Sequence, residues 1–293
     1  MVVSGRLVGL LGHPVGHSLS PAMHNAAFAS AGLDFTYRAW DVPPPALPAA
    51  LADLWAAGVV GLNVTIPHKA AVLEHVASAD ELARLAGSAN TLSRTATGWA
   101  ATSTDGAGLL LALAARGHRL CGPAAVAGAG GAAAAVVAAL ATAGFAPVVV
   151  ANRTLARAQR LAARLDPAGR QVRPAPLDEG GAWCAGAGLV VNATPLGTGG
   201  LATAWPVAPR HLAAGAVACD LAYGPQPTRW LTAAAQAGHP TVDGRLVLVH
   251  QGALAWPIWT GRQAPLEAML AAVGLTREPV QQESQNPVAD GIL

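Results

Sequence analysis

The chain has 293 residues, of which 12% are charged and 53% hydrophobic, and a formal net charge of +2. That length leaves room for two domains, and a small net charge without basic clusters offers no electrostatic footprint for nucleic acid. A mean hydropathy of +0.39 raises the question of a membrane span. The uncharged stretch 120–152 is nevertheless cut by Gly122, Pro123, Gly144 and Pro147 into pieces shorter than the roughly 20 apolar residues a bilayer requires.

Met1 to Leu11 lacks the basic start, long apolar run and cleavage site of a signal peptide. Cys121, Cys184 and Cys219 have no paired spacing, so they read as small buried residues of a reducing compartment, not as a disulfide or metal framework. A cytoplasmic protein without a bound metal is expected.

In chain order, 7–11 reads as a short strand ending in a Gly-His-Pro turn. A helix follows over 20–31, with Ser20 as its cap, Pro21 at its first position and Gly32 as its stop. A second strand is expected at 36–40, a helix at 47–57 closed by Gly58, and a third strand at 61–66 broken by Pro67. This alternation predicts a largely parallel sheet with helices on its faces. Against so apolar a chain, a polar set stands out: Ser18, Ser20, Asn63, Thr65, Lys69, Asn90, Thr91 and Asp105. Strand C-termini and adjacent helix N-termini line the ligand crevice of such sheets. Hydroxyls and amides there suit a small polyhydroxylated ligand, and Lys69 with Asp105 provides a cation and a carboxylate for proton transfer at an alcohol oxygen.

Near Thr104-Asp105-Gly106 the pattern restarts, with a helix at 107–115 and a strand at 124–127 running into Gly128-Ala129-Gly130-Gly131. A helix at 132–143 and a strand at 147–150 complete a unit of dinucleotide-binding form, Gly128-x-Gly130-x-x-Ala133. Gly128 permits the tight turn, Gly130 lets the backbone approach a pyrophosphate, and Ala133 allows close helix packing; the helix start, with Ala132 in its first turn, offers unpaired N–H groups to phosphate. At the end of the next strand an NAD site usually carries an acidic residue. Here stand Asn152, Arg153 and Thr154, with Arg157 a turn later. Two guanidinium groups and no carboxylate predict a 2′-phosphate, and therefore NADP.

A helix is expected at 155–165, core strands at 189–191 and 216–220, and a helix with two tryptophans at 254–261. The expected architecture is α/β: an N-terminal α/β substrate domain from 1–103 with 239–277, and a Rossmann-type, doubly wound parallel sheet domain at 104–238. Hinges are expected near Thr104 and His239. From 278 to 293 the chain turns polar and Gln-rich, a composition that predicts a disordered tail.

At these residues the sequence resembles the shikimate dehydrogenase family. The motifs that carry the resemblance are Gly-His-Ser-Leu-Ser-Pro (16–21), Asn-Val-Thr-Ile-Pro-His-Lys (63–69), Ala-Gly-Ser-Ala-Asn-Thr (86–91) and Ser-Thr-Asp-Gly (103–106). Asn-Arg-Thr (152–154), Asn-Ala-Thr-Pro-Leu-Gly (192–197) and His-Gln-Gly-Ala (250–253) complete the series. The resemblance implies reversible NADPH-dependent reduction of 3-dehydroshikimate to shikimate on the route to chorismate and the aromatic amino acids, with Lys69 and Asp105 as the catalytic pair. It further implies that Ser18, Ser20, Asn63, Thr65, Asn90 and Gln251, with Tyr223 nearby, hold the substrate. Thr194 and Gly244 join the glycine loop and the Asn152–Arg157 segment as cofactor contacts.

The chain departs from the family pattern at Ser103, often Asn, at Ala134, often a basic residue, and at Val247, commonly Met. A quinate/shikimate dehydrogenase using NAD, and a non-catalytic nucleotide-binding paralogue, are the alternatives. Arg153 and Ser20 argue against the first, and the retained Lys69 and Asp105 against the second. Partners are expected to be the small-molecule substrate alone, without nucleic acid or membrane, in a monomer or homodimer.

Overall fold

The computed structural model describes residues 5–197 and 204–277; the expected tail at 278–293 lies outside the described residues. Two six-stranded sheets organise the chain. The first is built from β1 (Arg6–Gly12), β2 (Phe35–Asp41), β3 (Gly61–Val64), β4 (Ser78–Ala79), β5 (Thr91–Thr95) and β6 (Gly98–Thr102), in the order β2-β1-β3-β5-β6-β4. The strands β1, β2 and β3 are parallel, whereas β5 runs antiparallel to both β3 and β6. The helices α1 (Ser20–Ser30), α2 (Leu47–Ala56) and α3 (Glu81–Ala86) belong to this half of the sequence.

After α4 (Asp105–Ala115) come β7 (Ala124–Ala127), α5 (Gly131–Thr142), β8 (Val148–Asn152), α6 (Leu155–Leu165), β9 (Val172–Pro176), β10 (Leu189–Asn192), β11 (Val217–Asp220), α7 (Arg229–Gln236) and β12 (Thr241–Val242). Their sheet has the order β12-β11-β10-β7-β8-β9 and is parallel throughout. That is the doubly wound Rossmann order, which reverses direction between β7 and β10. The strands β7, β10 and β11 are buried at every position, as strands covered on both faces must be.

The chain then returns in α8 (Gly244–Thr260) and α9 (Leu266–Ala272), which pack against α1. Trp259 of α8 donates its indole N–H to the Leu92 carbonyl of β5 at 3.0 Å, and Trp256 is fully buried. Helix α4 lies against both α5 and α8. The approach to α8 is close because residue 108 is glycine: a Cβ there would stand 2.8 Å from the backbone nitrogen of Gln251.

Several local expectations change. Ser20 is the first helical residue, not the cap; Leu19 takes the cap position without a side-chain bond, and the Ser20 N–H goes to the Ser18 hydroxyl at 3.2 Å. The third strand stops at Val64, because the Ile66 carbonyl turns to accept the His13 N–H and the Ile66 side chain faces outward. The helix expected at 254–261 begins ten residues earlier: Asp243 caps it by accepting the Arg245 N–H at 2.7 Å. The Leu-Val-Leu-Val run of 246–249 resembles a strand by composition and hides that start. Strand β8 runs on to Asn152. Cys184 and Cys219 are buried, but Cys121 is exposed, since it sits in the link entering Gly122-Pro123 and outside either core.

Candidate active site

Asn90 is the centre of a buried polar network where β5 begins. Its side-chain N–H groups face Thr104 Oγ1 at 2.8 Å, Asp105 Oδ1 at 2.9 Å and Gln251 Oε1 at 3.0 Å, while its carbonyl oxygen accepts the Thr104 N–H at 2.7 Å. Residues far apart in sequence are therefore fixed by one amide. Asn63, at the end of β3, gives its amide to the Asn90 carbonyl and to Thr91 Oγ1, each at 3.2 Å, and accepts from the Tyr37 hydroxyl at 2.8 Å. Burial raises the Tyr37 pKa well above the phenolic value, with a hydrogen bond to Ser20 opposing the shift. Tyr223 also lies beside Ser18, and burial raises its pKa. Ser18, Ser20, Asn63, Asn90, Tyr223 and Gln251 thus cluster, and Thr65 adjoins them just beyond β3, where its N–H pairs with the Leu11 carbonyl.

Lys69 follows the turn after β3 and donates its ammonium to Asp105 Oδ2, both side chains being only 14% exposed. Asp105 opens α4 and receives the Asn90 amide on its other oxygen. One oxygen binds the lysine and the other is anchored, so the carboxylate has a single orientation. A charged pair so nearly buried is strongly coupled to its partner hydrogen bonds.

The glycine loop reaches this pair from the second sheet. Gly131 begins α5, and a Cβ on it would stand 2.8 Å from Lys69 Cβ; the Ser88 hydroxyl donates to the Gly131 carbonyl at 2.9 Å. Gly128, at a φ of +117°, closes on the end of β10, where a Cβ would meet the Ala193 carbonyl oxygen at 2.8 Å. Around Gly130, by contrast, nothing lies within 4 Å of the Cβ position. An open backbone, followed by a helix start whose first N–H groups lack intrahelical partners, fits a pyrophosphate. Ala129 borders a cleft of about 340 Å³ whose other walls are Arg157, Arg160, Leu161 and Arg164 of α6. Its guanidinium groups fit the extra phosphate of NADP. Arg153 and Thr154 are exposed beyond β8 and Asn152 bonds back to the Thr154 carbonyl at 3.0 Å, but these three do not line the cleft.

Thr194 sits beside Gly128, held through its hydroxyl to Asn192 Oδ1 at 2.6 Å. Gly244 lies where α8 starts, packed so closely on the end of β11 that a Cβ would stand 2.6 Å from the Asp220 carbonyl oxygen.

Sequence reasoning passed over Tyr37, Asp220, His24 and Arg164. Asp220 accepts from Asn192, Thr228 and the Ala222 N–H, and burial pushes its pKa up to about 7 against those hydrogen bonds. A lone acid ending an apolar strand was the available signal. His24 stacks on Tyr37 at 4.4 Å, neither ring nitrogen has a hydrogen-bond partner among the described residues, and burial lowers its pKa to about 3.

A Rossmann sheet whose glycine loop abuts a lysine–carboxylate pair held by a second α/β unit defines a two-domain, dinucleotide-dependent oxidoreductase. Comparison with known proteins narrows the class. Family models match for the shikimate dehydrogenase substrate binding domain at 10–92, shikimate/quinate 5-dehydrogenase at 117–198 and the shikimate 5′-dehydrogenase C-terminal domain at 244–273. The shikimate dehydrogenase (NADP(+)) of Symbiobacterium thermophilum is 46% identical, over 92% of this chain and 93% of that protein. Shikimate 5-dehydrogenase from Thermus thermophilus, in complex with NADP(H) and shikimate, superposes with a TM-score of 0.83 at 39% identity, covering 92% of this chain and 98% of that one. Quinate dehydrogenase from Corynebacterium glutamicum in complex with NAD gives 0.82 at 31% identity, over 92% and 98%. The chain belongs to the shikimate dehydrogenase family. Among the described residues no helix is long and apolar enough to cross a membrane.

Proposed function

We propose that the chain catalyses the reversible NADPH-dependent reduction of 3-dehydroshikimate to shikimate. The observation that carries this reading is the junction at Lys69, whose ammonium is bonded to Asp105 while its stem lies against Gly131 of the dinucleotide loop. A proton donor and a cofactor loop meet there on opposite sides of one side chain.

NADPH, when bound, supplies the hydride for the ring carbonyl carbon. The oxygen of that carbonyl then needs a proton, and Lys69 donates it in the reducing direction and takes it back in the oxidising one. Asp105 keeps the ammonium aimed, and Asn90 keeps Asp105 aimed. Proton transfer of this kind is worth about 10²–10⁴-fold in rate, and orientation by surrounding contacts adds to it. Ser18, Ser20, Asn63, Thr65, Asn90, Tyr223 and Gln251 hold the carboxylate and hydroxyls. Gly128 to Ala132 take the pyrophosphate, Asn152, Arg153, Thr154 and Arg157 take the adenosine 2′-phosphate side, and Thr194 and Gly244 border the remaining cofactor path.

The substrate domain in this reading comprises 1–103 with 239–277, and the cofactor domain 104–238. The enzyme works in the cytoplasm on a small molecule, as a monomer or homodimer. The test is NADPH absorbance with and without 3-dehydroshikimate, and the reverse assay on shikimate and quinate with NADP and NAD. Oxidation of shikimate with NADP is expected; turnover of quinate with NAD alone would replace the reading.

A further inference from the structure

The cleft beside Ala129 contains more cation than the sequence pattern assigns to it. Arg157, Arg160 and Arg164 are spaced by three and four residues, so they share one face of α6. The helix contributes no acidic residue to its first turn, and α5, opposite across the glycine loop, carries no charged side chain at all. Arg164 is committed: it donates to the Ala86 carbonyl at the end of α3. Among the described residues, neither the Arg157 nor the Arg160 guanidinium has a hydrogen-bond or ion-pair partner. Like charges one turn apart destabilise a helix, and an anion between them would reverse that effect.

We propose that Arg160 is a third guanidinium of the 2′-phosphate subsite and a determinant of NADP over NAD. The proposal rests on the NADP reading above. Arg160 lies three residues beyond Arg157, about 4.5 Å along the helix axis. Long side chains on a helix lean toward its N-terminus, which brings the Arg160 head back toward Arg157 and Ala129. Leu161 and the pinned Arg164 form the rest of the wall. A phosphate entering beside Ala129 meets a wall that contains both Arg157 and Arg160. Side-chain cations for the phosphate thus come from Arg153 and from α6, and none from α5.

The test is equilibrium binding of NADPH, NADH, adenosine 2′,5′-bisphosphate and adenosine 5′-monophosphate to the parent chain, Arg160→Gln and Arg170→Gln. Nicotinamide fluorescence and calorimetry are the readouts, so turnover is not needed. Arg160 is exposed, and its replacement removes no packing. Arg170 is an exposed arginine beyond α6 that does not line the cleft, and it controls for net charge. Arg160→Gln is expected to weaken NADPH and the bisphosphate about ten-fold, with NADH and the monophosphate unchanged and Arg170→Gln near the parent. A parent chain that prefers NADPH, with Arg160→Gln showing the same preference, overturns the proposal and leaves the NADP reading standing. Equal weakening of NADPH and NADH, or an equal effect of Arg170→Gln, also overturns it. A parent chain that binds NADPH and NADH alike defeats the NADP reading itself.

Discussion

Around Asn90, buried donors and acceptors meet one another; along α6, the guanidinium groups of Arg157 and Arg160 meet solvent. The substrate-side network is complete within the protein, since Asn90, Asn63, Tyr37, Thr104, Asp105 and Gln251 are joined by bonds of 2.7–3.2 Å. The cofactor-side cleft leaves the Arg157 and Arg160 guanidinium groups without partners among the described residues. The contrast separates two ways of making a site. The first is pre-organised, so its residues have little room to move independently, and damage there spreads. The second is a row of guanidinium groups whose pull on an anion is screened by salt.

The comparison is tested most severely at Lys69, where both regions meet. Lys69→Ala should lower turnover by about 10²–10⁴-fold while shikimate affinity, measured by titration, changes far less. Equal loss of both would make Lys69 a binding residue only.

Asn90→Ala should come next. It strands Asp105, Thr104 and Gln251, and each buried polar group left unpaired costs about 1–3 kcal/mol. Thermal stability and kcat/KM should fall together, with NADPH affinity unchanged. A variant that lost activity at parental stability would show that the network is not the pre-organised unit described here.

His24 tests the same region through pH. Its folded pKa is near 3, against 6.5 for an unfolded imidazole. Between those values the unfolded chain binds the extra proton, so this group's contribution to stability falls as pH drops below 6.5. Asp220, raised from 3.8 to about 7, has the opposite slope because the folded state holds its proton. The informative quantity is therefore a difference. Relative to the parent, His24→Phe should gain about 2 kcal/mol in unfolding free energy between pH 7 and pH 5. A pH-independent difference in denaturant midpoints would mean that His24 is not held neutral.

The smallest effect is expected on the cofactor side. Arg157→Gln should weaken NADPH about ten-fold and leave NADH and thermal stability unaltered. Raising ionic strength should shrink that ratio. A fall in stability like that of Asn90→Ala would erase the distinction between the two regions.

The second sheet was legible in the sequence because its signals are local. Gly128-x-Gly130-x-x-Ala133 lies between a strand and a helix, and Asn152 to Arg157 follow at the end of the next strand. The first sheet was legible only in part. Its antiparallel strands β5 and β6 have no strong alternation, and a two-residue strand such as β4 carries no periodicity to detect. Asn90 reads as a turn former until the partners Thr104, Asp105 and Gln251 are placed around it; one of them is 161 positions away. Tyr37 and His24 were missed for the same reason, since a polar group in an apolar stretch shows its role only through contacts made by tertiary packing.

The return of α8 has a consequence for the order in which the molecule can assemble. Gln251 supplies an acceptor to Asn90, and Trp259 bonds to Leu92. During synthesis the ribosome releases Asn63, Lys69 and Asn90 long before either partner exists. The glycine loop can meet β8, which follows it at once, whereas the pocket on the first sheet lacks its α8 contacts until nearly the whole chain is made. The pocket that begins first in the sequence is therefore finished last in time.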